Sequence, residues 1–282
     1  MLAMIRVDVG SDLVYDVRSP STFLLQIAAA TTAHQSVVSE DLSFDPALNV
    51  EQYRIGGEGN RMHRIVVEPC TLKVKYRATV ELTPEVDPST EVTESNVSDM
   101  PPDVLTYLNP SRYCESDLLL RFAFEEFGTL DRGFARVQAV CDWVNHHLDY
   151  TPGSTNATTT AADVLVQRTG VCRDYAHLTI ALCRGIGIPA RYVAGYAVDL
   201  QPPDFHGFVE AYLGGQWYLF DPTKLAPVSG LVRIGVGRDA ADVSIATITG
   251  NTNLTSQGVW ANTAADVQKS PNSEQPPAVS TA

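Results

Sequence analysis

Residues 169–196, TGVCRDYAHLTIALCRGIGIPARYVAGY, and 204–223, DFHGFVEAYLGGQWYLFDPT, decide the fold class of this chain. A short helix opens at Thr160, where Asp163 three residues on resembles a capping box, and is expected to run to Arg168 with Gly170 as a left-handed cap. The next helix starts at or near Cys172 and runs through DYAHLTIALCRGIG. It stops before Pro189, which has no N–H for helical continuation, and Gly185 and Gly187 loosen its end. Three strands follow in ARYVAGYAV, GFVEAYL and QWYLFDP, the last two closed by the turn Gly214-Gly215. Helix followed by antiparallel sheet is an α+β arrangement.

Within this stretch Cys172 stands out by position. At a helix N-terminus, free N–H groups and the macrodipole favour an anion, and thiolates are stabilised there. The competing reading is a buried thiol acting as a small hydrophobe, which is how Cys183 and Cys141 read on their apolar helix faces. A cysteine nucleophile needs a base. With Leu213 paired to Gln216, Phe208 lies opposite Asp221 and His206 opposite Thr223, so His206 and Asp221 share a face as diagonal neighbours roughly 7–8 Å apart at the backbone. A slip of one residue would put them on opposite faces. A carboxylate so placed binds one imidazole nitrogen and leaves the other free for a thiol. Asp174 suits the first helical turn through the dipole, and His177 is too far round the helix to serve Cys172 as a base. Arg238, Asp239 and Asp242 in GVGRDAAD could fold back over the site or simply form a salt-bridged loop, and the loop is the favoured reading.

Working outward, roughly the first ninety residues read as β. Leu72, Val74, Tyr76, Ala78, Val80 and Leu82 alternate with polar residues in a long strand with one buried face. Ile5, Val7 and Val9 repeat the alternation, Thr22 to Ala30 reads as a buried strand, and Gly56, Gly57 and Gly59 mark a turn. Residues 1–90 are therefore expected to form an N-terminal β domain and 91–104 a surface linker, as the acidic, proline-punctuated run from 84 to 103 indicates. Residues 105–268 are expected to form the core with a C-terminal extension. It begins with helices at Leu118–Phe127 and Phe134–Leu148. From Lys269 the chain lacks periodicity and is expected to be a disordered tail.

Composition bounds the chemistry. The 282 residues are 44% hydrophobic and 19% charged, with a formal charge of −13, which argues against nucleic acid or an anionic membrane as partner. Asp8 and Asp12 interrupt the N-terminus where a signal peptide needs an apolar run, and no later run approaches the ~20 apolar residues of a membrane span. Five cysteines without CxxC spacing suit free thiols in a reducing, cytoplasmic compartment. No zinc-type or EF-hand spacing is present, and neither a metal nor a cofactor is expected.

The quoted segments closely resemble the core of the bacterial transglutaminase-like superfamily, with Gly-Val-Cys, His-Gly-Phe and Asp-Pro-Thr in that chain order. The likeness extends back through YLNPSRYCESD to the β region and forward through RIGVGRDAADVSIATITG. It implies a papain-like α+β core behind an N-terminal β-sandwich. It also implies Cys172 as nucleophile, His206 as general base and then acid, and Asp221 orienting the imidazole. The thiolate would attack a protein or peptide amide, release an amine and leave a thioester for water or an amine acceptor to resolve. The Cys172 N–H is the natural first oxyanion donor, with Tyr150 and Trp143 as candidates for the second, though either also reads as packing. Trp217, Tyr212 and Phe208, on the His206 face, are candidates to line a substrate groove. Hydrolysis, acyl transfer and a non-catalytic binding module are the competing functions, and the intact Cys-His-Asp set counts against the last. Arylamine acetyltransferases approach their cysteine through Arg-Gly-Gly, where Arg168-Thr169-Gly170-Val171 stands here.

Overall fold

The protein is described from a computed structural model, which describes residues 4–263 and 277–282. Strands open the chain: β1 (Ile5–Val17), β2 (Ser21–Leu25), β3 (Gln35–Asp45), β4 (Glu51–Ile55), β5 (Asn60–Val67), β6 (Cys70–Leu82) and the short β7 (Glu85–Asp87). The alternation expected in β1 and β6 is present, and the two run antiparallel with Ile5 opposite Leu82 and Val17 opposite Cys70. Val7, Leu13, Tyr15, Leu72, Val74 and Tyr76 are thereby all turned to the interior. They share a core with Phe23, Leu25, Ile65 and Val67 of the β2–β5 sheet, where Tyr15 meets Phe23 edge-on at 5.1 Å. This is a sandwich of two antiparallel sheets.

The core follows: α1 (Pro102–Leu105), α2 (Ser116–Phe127), α3 (Phe134–His147), β8 (Asp149–Tyr150), α4 (Ala161–Gln167), β9 (Thr169–Gly170), α5 (Cys172–Gly185), β10 (Ala190–Ala197), β11 (Phe205–Leu213), β12 (Gln216–Phe220) and β13 (Leu231–Gly237). Every residue of α5 from Asp174 to Gly185 is buried, because the helix is enclosed by α2, α3, α4 and the sheet, and its buried Asp174, His177 and Arg184 are hydrogen-bonded there. The sheet is antiparallel in the order β12-β11-β10-β13. Gly214 and Gly215 both take positive φ, 56° and 95°, and this gives the β11–β12 hairpin the expected register of Leu213 against Gln216. The capping box at Thr160 and Asp163 is present, but the left-handed residue ending α4 is Arg168, φ 60°, and not Gly170.

The chain then returns to the sandwich. The last strands are β14 (Ala246–Thr249), β15 (Thr252–Thr263) and β16 (Ala278–Ser280). β15 pairs with β1 and β14 with β2, so each sandwich sheet is completed from the far end of the chain, giving orders β15-β1-β6-β3 and β14-β2-β5-β4. The C-terminal extension therefore belongs structurally to the N-terminal β domain. The expected disordered tail lies outside the described residues for 269–276. Residues 278–280, by contrast, pair with β7 and are buried. The expected linker is also partly anchored: Val92 and Met100 are buried, and the Glu94 carboxylate accepts from Arg132, Arg136 and the Gly133 N–H.

Two features weld sandwich to core. The free edge of β13 is covered by side-chain amides, which answers the unpaired backbone of an edge strand. Asn60 exchanges hydrogen bonds with Val236 N–H and C=O (2.9 and 2.7 Å), and Gln35 does the same with Arg233 (2.7 and 2.8 Å). Beside them Glu210, fully buried, accepts from Arg191 (2.6 Å) and Arg233 (2.5 Å), while Arg191 also bonds Glu58 of the sandwich (2.8 Å). Burial pushes the Glu210 carboxyl up, but the two guanidiniums outweigh it and hold its pKa at about 2.

Removing one partner from a buried ionic group leaves the others uncompensated, so Glu210→Ala is expected to cost about 3–5 kcal/mol in urea unfolding. The exposed Arg121–Glu125 pair is the control, and Glu125→Ala is expected to change stability by less than ~1 kcal/mol. Equal effects of the two substitutions would show that the Glu210 cluster does not tie the domains together.

Candidate active site

The site is built where α5 begins. Cys172 is its first residue and is half-buried. The turn before it is held by Asp174, whose Oδ2 accepts from the Val171 N–H (2.9 Å) and from the Thr155 hydroxyl (2.6 Å). Gly170 is required here by space, since a Cβ would fall 2.7 Å from Asp174 Cβ. Through β9 this same segment pairs in parallel with β8, Tyr150 against Gly170.

The hairpin brings His206 and Asp221. The ladder from Leu213–Gln216 to Val209–Phe220 carries both strands toward Cys172, and beyond its end His206 Nε2–H donates to Asp221 Oδ2 at 3.1 Å. Both side chains are almost wholly shielded from solvent. With Nε2 so engaged, His206 Nδ1 is buried without a hydrogen-bond partner among the described residues and is the nitrogen left for the thiol. Burial disfavours the charged ring, but Asp221 and then Cys172 outweigh it and hold the His206 pKa up at about 10. Asp221 is in turn buried, which raises its pKa, yet His206 and the donors around it bring it below the usual carboxylate range. The thiol itself lies 4.0 Å from the Phe205 carbonyl.

The other expected residues separate. Tyr150 pairs with Gly170 beside Cys172, and its pKa is raised by burial and by the neighbouring cysteine, so the phenol keeps its proton. Trp143 is a packing residue: its ring stacks on His147 at 4.0 Å, meets Phe122 and Phe127 edge-on, and lies under Arg168. Trp217 and Tyr212 do not line a groove with His206. Trp217 is covered by Arg191 (4.0 Å), Tyr107 and Tyr212, at the far end of β11 from His206. Phe208 is fully buried and carries the His206 ring edge-on at 4.6 Å, so it supports the imidazole from within. The alternation that put all three on one face was sound, but β11 is longer than any single site. His177 accepts the Ala240 N–H (3.1 Å) and stacks on Tyr113, and burial lowers its pKa to about 3. Arg238 pairs with Asp242 at 2.9 Å as a salt-bridged loop.

Two residues of the site had no signal strong enough to single them out. Thr223 donates to Asp221 Oδ1 through its hydroxyl (2.6 Å) and its N–H (2.9 Å), and its oxygen also lies 3.3 Å from His206 Nε2. Asn145, on α3, donates to the Pro222 and Thr223 carbonyls (3.1 and 3.0 Å) and so fixes the turn that aims Asp221. Thr223 follows an Asp-Pro pair, a turn signal that in hindsight marks it, whereas Asn145 is one polar residue on an amphipathic helix. Among the described residues no group of three or more His, Cys, Asp or Glu is arranged to hold a metal.

Residues 123–222 match the model of the transglutaminase-like superfamily, and residues 5–103 match that of the bacterial transglutaminase N-terminal domain. A protein of Cytophaga hutchinsonii, provisionally assigned as a cysteine protease, superposes with a TM-score of 0.93 at 38% identity, over 99% of this chain and 98% of that one. An uncharacterized protein of Mycobacterium leprae is 38% identical over 117 residues, and one of Mycobacterium tuberculosis is 36% identical over 109. The chain covers 42% and 35% of the length of these two mycobacterial relatives.

In an imidazole NMR titration His206 is expected to keep its proton through pH 8 and lose it near pH 10. Asp221→Asn removes the opposing charge and leaves burial, so the value should fall below the ordinary ~6.5. The folded-state value is raised, so the stability it contributes is fully present below about pH 6.5 and is lost as pH rises through about 10. A wild-type His206 titrating near 6.5 would show that the pair does not form.

Proposed function

The chain belongs to the transglutaminase-like superfamily, and from that premise we propose that it is a cysteine-nucleophile amide hydrolase acting on protein or peptide substrates. The observation that carries this reading is the orientation of His206: pinned on its Nε2 side by Asp221, it keeps Nδ1 free beside a cysteine at a helix N-terminus. In the proposed cycle the Cys172 thiolate adds to the amide carbonyl, and the oxyanion is received by the Cys172 N–H and the Tyr150 hydroxyl. His206 gives its Nδ1 proton to the leaving nitrogen as the C–N bond breaks, leaving a thioester and a free amine. It then takes a proton from water, which attacks the thioester and returns the sulfur as thiolate. Asp221 keeps the tautomer and orientation throughout, and Thr223 and Asn145 keep Asp221 in place.

The remaining thiols fit the same reading. Cys114 and Cys183 are buried, which pushes their pKa up to about 12, and burial raises Cys141 well above its ordinary value, so none of the three is poised to react. All five cysteines are free, which suits a reducing compartment, and we place the protein in the cytoplasm on that ground. No described helix is long and apolar enough to cross a membrane.

Iodoacetamide at limiting concentration should label Cys172 before Cys70, Cys114, Cys141 or Cys183 when the sites are mapped by mass. His206→Ala is expected to lower turnover of a peptide-amide panel by about 10²- to 10⁴-fold with little change in Tm. First labelling of another cysteine, or full turnover in His206→Ala, would remove the nucleophile or the base from the mechanism. The fate of the thioester is read by adding labelled cadaverine to a glutamine-containing peptide. Hydrolysis is expected to dominate; Cys172-dependent incorporation exceeding hydrolysis would make the protein an acyl transferase instead.

A further inference from the structure

The segment that leads to His206 is packed on one side and open toward the sandwich. Before β11 the chain crosses from β10 through Asp199, Gln201, Pro202, Pro203 and Asp204, all exposed. Between this loop and β15 lies a cavity of about 100 Å³ bordered by Leu200, Pro203, Asp204, Trp260 and Asn262. Leu200 anchors the loop in the core of its own sheet, but the exposed residues around it face this gap. A hydrogen-bonded bridge spans the gap. The Gln257 amide of β15 donates to Asp204 Oδ1 at 2.5 Å, and the same oxygen accepts the Phe205 N–H at 2.7 Å. Phe205 is the residue whose carbonyl lies 4.0 Å from Cys172 Sγ, and His206 comes next.

We propose that Gln257 and Asp204 are positioning residues: a strut from the sandwich that fixes the Phe205 peptide and His206 against Cys172. The inference rests on the cysteine-nucleophile reading of the site. Asp204 holds the first peptide of β11 in one orientation, and Gln257 holds Asp204 from an element whose own position is set by its long pairing with β1. Phe205 is steadied on its other side by Tyr196, 5.3 Å away between ring centroids, whose hydroxyl donates to the Ile27 carbonyl of the sandwich (2.7 Å). Without the strut the start of β11 keeps that ring contact and its ladder to β10, Tyr196 against Phe205 and Gly195 against His206, but loses its polar tie to the sandwich, and the fit of Nδ1 to the thiol loosens. Partial burial lifts the Asp204 carboxyl above the usual range, and the Phe205 and Gln257 donors oppose that rise. In this arrangement the sandwich is part of the catalytic apparatus, although none of its residues touches the reacting atoms.

The test is a charge clash and its repair, assayed at pH 8. Gln257→Glu sets a second carboxylate against Asp204 and is expected to lower kcat by about 10- to 100-fold, the cost of a small misplacement, with KM and Tm held. The rate of Cys172 alkylation should fall in parallel. Adding Asp204→Asn should restore most of the rate, because the asparagine amide accepts the Phe205 N–H and donates to the new carboxylate. Gln257→Leu, which deletes the bond without adding charge, should lower kcat in the same direction. Wild-type kcat in Gln257→Glu, a change confined to KM, or failure of the double variant to recover would each overturn the strut. Cys172→Ala is measured alongside: turnover that survives in it would overturn the reading of the site and the strut together. Cys172-dependent turnover indifferent to Gln257 would overturn the strut alone.

Discussion

A carboxylate with no access to water, Glu210, holds two guanidiniums that come from strands on either side of it in sequence. An isolated charge so placed would cost several kcal/mol of lost hydration, so the arrangement exists only while all its members are present. Arg191 reaches on to Glu58 in the sandwich and stacks on Trp217, and Arg233 reaches Thr281 near the C-terminus. Glu58 also accepts from Tyr107, next to α1. A single ionic group thus joins β10, β11 and β13, the β4–β5 turn and the end of the chain. The consequence for the site is positional: the sheet that presents His206 and Asp221 is locked to the sandwich from one end of β11, while the strut at Gln257 acts at the other.

The parts of this molecule that could be read from sequence are those whose cause is local. Two consecutive glycines between apolar strands leave one comfortable hairpin register, and that register places His206 with Asp221. Alternation in Leu72–Leu82 and a capping box at Thr160 are equally local, and both are present as expected. What could not be read depends on segments far apart in the chain. Glu210 sits in an apolar run, GFVEAYL, with nothing nearby to show that Arg191, Arg233 and Glu58 converge on it. The pairing of β15 with β1 joins residues some 250 apart, so a polar stretch such as TNLTSQ carries no mark of its partner. Trp143, Trp217 and Phe208 were plausible at the site because aromatic residues on the right face are all that a sequence displays. Which of them is already covered by neighbours is a property of packing.

The electrostatics around Cys172 contain an apparent conflict, and its resolution accounts for several contacts at once. Asp174 stabilises the helix that carries Cys172, yet a carboxylate in the first turn opposes a thiolate at the same end. The neighbouring groups remove the conflict. Arg173 donates to Asp174 Oδ1 at 2.9 and 3.2 Å, and Oδ2 is taken by the Val171 N–H and the Thr155 hydroxyl. The carboxylate is thereby paired and its charge largely cancelled before it reaches the sulfur. Arg173 also donates to Thr155 and to the Asn156 carbonyl, and so fastens the loop that follows Tyr150. One ion pair beside Cys172 therefore caps the helix, neutralises the cap and holds in place the strand whose tyrosine faces the thiol. The positive field left at Cys172 then comes from the helix N–H groups and from a histidine that its own aspartate keeps charged.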